Sequence, residues 1–334
     1  MRRALVVGID YYERLSQLHG CVNDAHRVQA ALHVHADGSP NFEVELLTAT
    51  SEDISVSRDE LREGAEKLFA NAEEIEVALF YFAGHGDIDI AGGSLYTTEV
   101  KKRGGGLNLH DVLAFANASK AANRIIILDS CHSGAAGEPT PTKLAELARG
   151  VTILTASQED QYAEEATEGD GPVGGLFTNL MIEALSGGAA DLLGRVTPGS
   201  VYARIDQSLG SWGQRPVFKT NVARFVVLRQ VSPAIPLNEL RKIANFFPKR
   251  GFTFQLDPTF EPERDQANAD ELPPPDETNC AIFAILQKFN RNGLVDPTGA
   301  NSMYYAAINS QGCRLTALGE HYRRLAAKNH LANL

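Results

Sequence analysis

The chain has 334 residues, 43% hydrophobic and 22% charged, which is enough for one large domain and a smaller one with apolar cores. The net charge of −11 is unevenly distributed along the chain, since the residues from Cys280 onward carry six Lys or Arg against two Asp or Glu. The remaining residues are therefore strongly acidic, which disfavours nonspecific nucleic-acid binding and favours a basic substrate. No apolar run approaches the roughly 20 residues of a membrane span, and four scattered cysteines without a CxxC pair argue against a disulfide framework and a structural zinc site.

The first 230 residues alternate between strand-like and helix-like patterns. Met1-Arg2-Arg3 runs straight into an apolar strand without the pattern of a signal peptide, which predicts a cytoplasmic protein. This alternation predicts an α/β domain with a mostly parallel six-stranded sheet and helices on both faces, and Ser57 and Asn108 are predicted helix N-caps. The strands are predicted at 4–9, 42–47, 77–83, 124–129, 151–155 and 223–228, and the helices near 22–35, 58–72, 108–118, 176–186 and 200–209.

The composition shifts after residue 230. Residues 231–279 read as a linker that contains a short helix at 237–247 and then a segment rich in Pro, Asp and Glu with little to bury. Residues 280–334 regain a helical period and predict a small, mainly helical C-terminal domain. The predicted organisation is therefore a large domain at 1–230, a linker at 231–279 and a small domain at 280–334.

Two neighbouring predicted strands end in chemically reactive residues. The run 77–83 leads into His85, and the run 124–129 leads into Cys131. A cysteine is nucleophilic as its thiolate, and a histidine within reach can take the thiol proton and later return it to a leaving amine. The backbone N–H groups of Gly86 and Cys131 could stabilise the developing oxyanion. These residues predict acyl transfer, meaning cleavage of a peptide bond.

The same residues carry a family resemblance. Phe82-Ala83-Gly84-His85-Gly86 and Asp129-Ser130-Cys131-His132-Ser133-Gly134 resemble the catalytic motifs of the caspase-like (clan CD) cysteine peptidases, in particular bacterial metacaspase-like and paracaspase-like members of peptidase family C14. The resemblance covers about residues 1–230 and implies the caspase-like fold, with Cys131 as nucleophile and His85 as base. Supporting matches are Leu5-Val6-Val7-Gly8-Ile9-Asp10 with Tyr12, the stretch 18–25, the stretch 156–165, and Gly175-Leu176-Phe177-Thr178.

The resemblance also implies a substrate preference. Caspases that cut after Asp carry Gln two residues before the nucleophile, whereas this chain has Asp129 there. By resemblance to metacaspases, Asp24 and Asp129 line the S1 pocket, and Glu165 joins them as in paracaspase-like members. Carboxylates that face a guanidinium give strong bidentate recognition. The implied substrates are proteins or peptides with Arg or Lys, and not Asp, at P1.

Activators and alternatives follow from the remaining features. The reaction itself needs no cofactor or metal. Many metacaspases need calcium, and some bacterial relatives sense signalling nucleotides, so the resemblance makes calcium and a signalling nucleotide candidate activators. Residues 280–330 resemble a winged-helix domain through Gly293-Leu294-Val295 and 315–322. Few basic residues fall on any one helix of this region, which disfavours DNA as its ligand. A protein partner or a nucleotide is therefore the candidate ligand. An antiphage effector role is implied by analogy only. The alternatives are a non-catalytic adaptor and a nucleic-acid-binding regulator.

Overall fold

The computed structural model describes residues 1–70, 75–89, 92–100, 106–130, 147–156, 175–209, 216–264 and 272–332. The chain divides into two compact units. The first comprises residues 1–190 and 194–232, and the second comprises residues 191–193 and 233–334.

The first unit alternates strands and helices along the chain, as an α/β domain requires. A π-helical turn, Ala184–Gly188, follows its fourth helix. In chain order, the elements are β1 (Arg2–Ile9), α1 (Cys21–His33), β2 (Glu43–Ala49), α2 (Arg58–Phe69), β3 (Val77–Ala83), β4 (Gly86–Asp89), β5 (Gly92–Leu95), β6 (Leu107–Asn108), α3 (Leu109–Ala118), β7 (Asn123–Asp129), β8 (Val151–Thr155), α4 (Leu176–Glu183), β9 (Arg195–Val196), α5 (Pro198–Leu209), β10 (Val217–Thr220) and β11 (Arg229–Gln230).

A six-stranded sheet forms the centre of this unit. Its strand order is β10-β8-β7-β3-β1-β2, and all neighbours are parallel except β10, which runs antiparallel to β8. Every residue of β3 is buried, because helices cover both faces of a parallel sheet. The predicted six-stranded, mostly parallel sheet flanked by helices is confirmed.

The two faces of the sheet form two apolar cores. One core contains Leu61 and Ala65 of α2 and Val112 of α3, and the other contains Val28 of α1 and Phe177 of α4. The predicted N-caps are confirmed: Ser57 makes a capping box with Glu60, and the Asn108 side chain accepts from the His110 N–H.

Close approach of α1 to the sheet depends on Gly8 of β1. A Cβ there would lie 2.4 Å from the Cys21 carbonyl oxygen and 2.7 Å from the Ala25 Cβ. The start of α1 is held by Asp10, whose Oδ1 accepts from the Cys21 N–H at 2.8 Å. The sequence motif from Leu5 to Asp10 therefore fixes where α1 begins, and so where Asp24 sits one turn later.

The sixth strand differs from the prediction. The sheet is completed by Val217–Thr220, and the predicted strand at 223–228 is absent from this described stretch. The reason is that side chains bind its carbonyl groups. Arg2 donates to the Val227 carbonyl, and the Asn41 side chain donates to the Leu228 carbonyl at 2.9 Å. Only Arg229 and Gln230 form a short pair with β9.

The second unit combines short helices with a small antiparallel sheet. The sheet order is β12-β14-β13. The core is aromatic and aliphatic and includes Phe283, Phe289 and Leu294. The elements are α6 (Leu237–Leu240), α7 (Ile243–Phe246), β12 (Thr253–Gln255), α8 (Glu277–Arg291), β13 (Val295–Thr298), α9 (Met303–Ile308), β14 (Gly312–Leu315) and α10 (Ala317–Ala327), with 3-10 turns at Pro258–Phe260 and His330–Ala332.

The boundary predicted at residue 280 is not seen in this unit. The sequence predicts a linker at residues 231–279, yet β12 pairs with β14, and Leu256 and Phe260 are buried in the same core as α8. The expected helix at 237–247 is two short helices, α6 and α7. Among the helices of the described ranges, none has the length and apolar character needed to cross a bilayer.

Candidate active site

The C-terminal ends of β3 and β7 lie side by side. Ala83 pairs with Asp129 in the parallel register, and the Gly84 N–H donates to the Asp129 carbonyl oxygen at 3.3 Å. His85 and Ser130 therefore follow neighbouring strands at one edge of the sheet, where α/β folds collect functional groups. Two predicted site residues, Cys131 and Glu165, lie outside the described residues.

The imidazole of His85 is held by Ser16 and Tyr12. Its Nε2 lies 2.9 Å from the Ser16 carbonyl oxygen and 3.3 Å from the Ser16 hydroxyl. Because a carbonyl oxygen only accepts hydrogen bonds, Nε2 carries the proton of the neutral ring and Nδ1 is the basic nitrogen. The Tyr12 ring packs against the imidazole with a centroid separation of 4.7 Å. The ring is thus fixed in one tautomer.

The backbone around His85 is also fixed. The His85 N–H donates to the Tyr12 hydroxyl at 2.7 Å, and the His85 carbonyl accepts from the Tyr96 N–H at 2.9 Å. A Cβ at Gly84 would lie 2.6 Å from the Tyr12 hydroxyl oxygen, so this position requires glycine. Gly86 begins β4 and pairs with Leu95.

Asp24 lies on the first turn of α1 and is 1% exposed. Its Oδ2 accepts from the Gly175 N–H at 2.7 Å, and its Oδ1 lies 3.3 Å from the guanidinium of Arg27. The pKa of Asp24 is raised to about 7; burial is the main cause, the hydrogen bond from Gly175 and the charge of Arg27 oppose it, and the carboxylates of Asp129 and Asp10 add to it.

Asp129 ends β7 and is 8% exposed. Its Oδ2 accepts from the Thr178 hydroxyl at 2.6 Å, and the Thr178 Oγ1 is 2.7 Å from the Tyr81 hydroxyl. A Cβ at Gly175 would lie 2.7 Å from the same Oδ2. The start of α4 therefore contacts both carboxylates, because Gly175 donates to Asp24 while Thr178 donates to Asp129.

The structure thus brings together three of the predicted site residues and gives them partners that sequence reasoning missed. His85 lies two residues after Ala83, the strand partner of Asp129, and Asp24 meets Asp129 beside Gly175. The roles of Tyr12, Ser16 and Thr178 were not predicted. Tyr12 and Thr178 lie within motifs that match the family, which was the available signal. Within the described ranges, no set of three or more His, Cys, Asp or Glu side chains could hold a metal ion.

Comparison with known proteins gives the family. The Caspase domain family model matches residues 1–225. Metacaspase-1 of Yarrowia lipolytica is 24% identical over 201 residues, which cover 54% of this chain and 42% of that protein. Metacaspase-8 of Arabidopsis thaliana is 29% identical over 86 residues, which cover 25% of this chain and 22% of that protein. The chain therefore spans less than half the length of these curated relatives.

Solved structures agree in fold. Caspase-1 from Spodoptera frugiperda superposes with a TM-score of 0.50 at 12% identity, covering 69% of this chain and 90% of that one. The protein GSU0716 from Geobacter sulfurreducens gives a TM-score of 0.50 at 17% identity, covering 70% of this chain and 98% of that one. Since the family model spans most of the chain, the protein belongs to the caspase-domain family.

Proposed function

We propose that the protein is a cysteine endopeptidase that cleaves after Arg or Lys. The observation that carries this proposal is the pair of buried carboxylates, Asp24 and Asp129, at the sheet edge where His85 lies. Family membership supports cysteine-peptidase chemistry. The acid pair favours a cationic P1 side chain, because buried carboxylates bind a guanidinium through charge-assisted hydrogen bonds. Glu165 is proposed as a third acidic group of the pocket.

The proposed reaction has two halves. The Cys131 thiol gives its proton to Nδ1 of His85, and the sulfur attacks the scissile carbonyl carbon. The N–H groups of Gly86 and Cys131 stabilise the oxyanion of the tetrahedral intermediate. As the C–N bond breaks, His85 returns the proton to the leaving amine, which leaves a thioester on Cys131. Water, deprotonated by His85, then hydrolyses the thioester and regenerates the thiol.

The role of the Ser16 contact follows from this scheme. Because Nε2–H donates to the Ser16 carbonyl, the neutral imidazole presents Nδ1 to accept a proton. When His85 becomes cationic, the same carbonyl oxygen still accepts the Nε2–H hydrogen bond and stabilises the positive charge of the ring. The scheme therefore needs no further acid or base.

The direct test is hydrolysis of fluorogenic peptides that end in Arg, Lys or Asp. Wild type should cleave the Arg and Lys peptides and leave the Asp peptide intact, and Cys131→Ala and His85→Ala should each abolish cleavage. Cys21→Ala is the matched control, since it removes a thiol from α1 and should retain activity. Faster cleavage of the Asp peptide, or activity that survives Cys131→Ala, would contradict the proposal.

The regulation that we propose resides in residues 231–334. The family match ends at residue 225, so the second compact unit is additional to the peptidase domain. A protein partner or a signalling nucleotide is proposed as its ligand, consistent with a bacterial effector, including one in antiphage defence. The peptidase assay should therefore be run with calcium and with candidate nucleotides, each added singly. Activity that appears only with one of them would identify the activator.

A further inference from the structure

A chain of buried hydroxyl groups ends on Asp129. The Tyr81 hydroxyl lies 2.7 Å from the Thr178 Oγ1, and the Thr178 hydroxyl lies 2.6 Å from the Asp129 Oδ2. Tyr81 and Thr178 are both 0% exposed. Water therefore does not compete for these hydrogen bonds, and they are stronger than the same bonds at the surface.

The direction of the hydrogen bonds is determined by the number of protons. A carboxylate only accepts, so the single proton of the Thr178 hydroxyl is committed to Asp129. The Thr178 oxygen must then accept from the Tyr81 hydroxyl. Burial, and beyond it the negative charges of Asp129 and Asp24, raise the pKa of Tyr81 well above its ordinary value, so Tyr81 stays protonated and remains a donor.

The arrangement also counters repulsion between two acids. Asp24 and Asp129 interact unfavourably, as the effect of Asp129 on the pKa of Asp24 shows. Gly175 and Thr178, at the start of α4, each donate one hydrogen bond to one of the two carboxylates. One turn of chain therefore holds both acids in place. Thr178 contacts Asp129, and Gly175 donates to Asp24, so substitution of the Thr178 side chain tests one acid without removing the other contact.

We propose that Thr178, supported by Tyr81, is a positioning residue that orients the Asp129 carboxylate for a planar guanidinium, and so sets the preference for Arg over Lys. The proposal rests on the basic specificity proposed above. A guanidinium needs a carboxylate in a defined plane to form two parallel hydrogen bonds, whereas an ammonium is a compact charge that tolerates many orientations. Loss of the Thr178 hydroxyl should therefore weaken guanidinium binding more than ammonium binding.

The test measures binding of two small ligands to the full chain by calorimetry. n-Butylguanidine represents the Arg side chain and n-pentylamine represents the Lys side chain. Thr178→Val removes the hydroxyl at nearly constant shape and should weaken butylguanidine about tenfold, the effect of one hydrogen bond to a charged group. Pentylamine should weaken by about threefold or less, since an ammonium depends little on carboxylate orientation. Thr178→Ser keeps the hydroxyl and should restore the wild-type ratio of the two affinities.

Two further variants complete the design. Tyr81→Phe should shift the same ratio in the same direction by about threefold, and it serves if Thr178→Val fails to fold. Thr152→Val is the matched control, because Thr152 is a buried threonine whose hydroxyl lies 2.9 Å from that of Thr220 and touches neither acid. It should leave the ratio unchanged.

The outcomes separate this inference from the proposed reaction. Equal weakening of both ligands, no recovery in Thr178→Ser, or no binding of butylguanidine to wild type would each overturn the role of Thr178. Binding of butylguanidine that depends on Thr178, in a chain without Cys131-dependent hydrolysis even when calcium or a candidate nucleotide is added, would support this inference and overturn the peptidase proposal. Cleavage of Arg peptides at an Arg/Lys ratio unaffected by Thr178→Val would overturn this inference alone.

Discussion

The backbone N–H of His85 donates a hydrogen bond to the hydroxyl of Tyr12 at 2.7 Å, and the two rings pack at 4.7 Å. Tyr12 follows β1 in the chain, while His85 follows β3. These two strands are neighbours in the sheet. The position of the proposed base is therefore set by a residue 73 positions away, through both polar and apolar contacts.

Gly84→Ala should impair the proposed base. The new Cβ would lie 2.6 Å from the Tyr12 hydroxyl oxygen, closer than any ordinary contact, so either Tyr12 or the backbone next to His85 must shift, and both hold His85 in place. Because a misplacement of about 1 Å can cost about 100-fold, we expect kcat/KM to fall by 10- to 100-fold. Steady-state kinetics with an Arg peptide provides the measurement.

Tyr12→Phe offers a matched rescue. Alone, it removes the acceptor of the His85 N–H and should lower kcat by about three- to tenfold. In combination with Gly84→Ala, it removes the oxygen that the new Cβ would strike, so the double variant should be more active than Gly84→Ala. If the double variant loses the product of the two single effects, the contact between Tyr12 and position 84 is not the cause.

Binding of a basic ligand should strengthen as the pH rises through about 7. The pKa of Asp24 is raised to about 7, chiefly by burial, so the group is neutral below that pH and negative above it. The affinity for butylguanidine should increase severalfold between about pH 6 and about pH 8, because a charged acceptor binds a cation more tightly than a neutral one. Asp24→Asn should flatten this profile. A wild-type profile without a step near neutrality would contradict the prediction.

The same group should make the unfolding free energy depend on pH. The folded pKa lies above the unfolded value of about 3.9, so the folded state binds more protons between about pH 4 and about pH 7. Stability from this group is complete below about pH 4 and is lost as the pH rises to about 7, by on the order of 4 kcal/mol. Urea denaturation of wild type and Asp24→Asn measures it. Equal slopes in the two proteins would count against the raised pKa.

The features that sequence predicted are those encoded by contiguous residues. The continuous apolar runs of β3 and β7 predict buried strands, and the local caps Ser57 and Asn108 predict helix starts. The position of the sixth strand depends on distant residues: the sequence predicts it at 223–228, and the structure has it at Val217–Thr220. The carbonyl groups of Val227 and Leu228 are bound by side chains from residues 2 and 41, which no local pattern reveals.

The candidate site divides in the same way. Asp24 and Asp129 were assigned because their motifs match a family. Thr178 lies in such a motif too, but its function depends on contacts with residues 49 and 97 positions away. β12 was missed because three residues are too few to show a period, although it completes a sheet with β14.

Asp129→Asn should strongly weaken cleavage after Arg. The amide keeps the shape and an acceptor for the Thr178 hydroxyl but loses the charge, and removal of one partner of a buried charged pair costs enough to lower kcat/KM by roughly 100-fold. Asp111→Asn is the charge-matched control. It removes a partly exposed carboxylate that bridges to Arg62 at 2.8 Å, and should change kcat/KM less than about twofold. Similar losses in both variants would indicate a general effect of charge.

Arg124→Met should destabilise the first unit. Arg124 is 6% exposed, and its guanidinium donates to the carbonyl oxygens of Ala116, Ala121 and Arg149 at 3.1, 2.6 and 2.9 Å. Removal leaves three carbonyl groups without this donor, so the unfolding free energy should fall by about 2–4 kcal/mol. Arg62→Met, at a partly exposed arginine, should cost less than about 1 kcal/mol in the same denaturation experiment.

The cysteines should differ in their reaction with iodoacetamide. Cys313 is 0% exposed, and burial raises its pKa to about 12, so its thiol should stay unmodified in the folded protein. Burial also raises the pKa of Cys280, which should react slowly.

If Cys131 is the nucleophile, it should be alkylated first at about pH 7.5 with limiting reagent, because a base that accepts the thiol proton increases the thiolate fraction. Mass spectrometry of tryptic peptides gives the order, and His85→Ala should slow the reaction at Cys131 alone. Labelling of Cys313 in urea confirms that its peptide is detectable. Preferential labelling of Cys280, or an unchanged rate at Cys131 in His85→Ala, would contradict the proposed pairing.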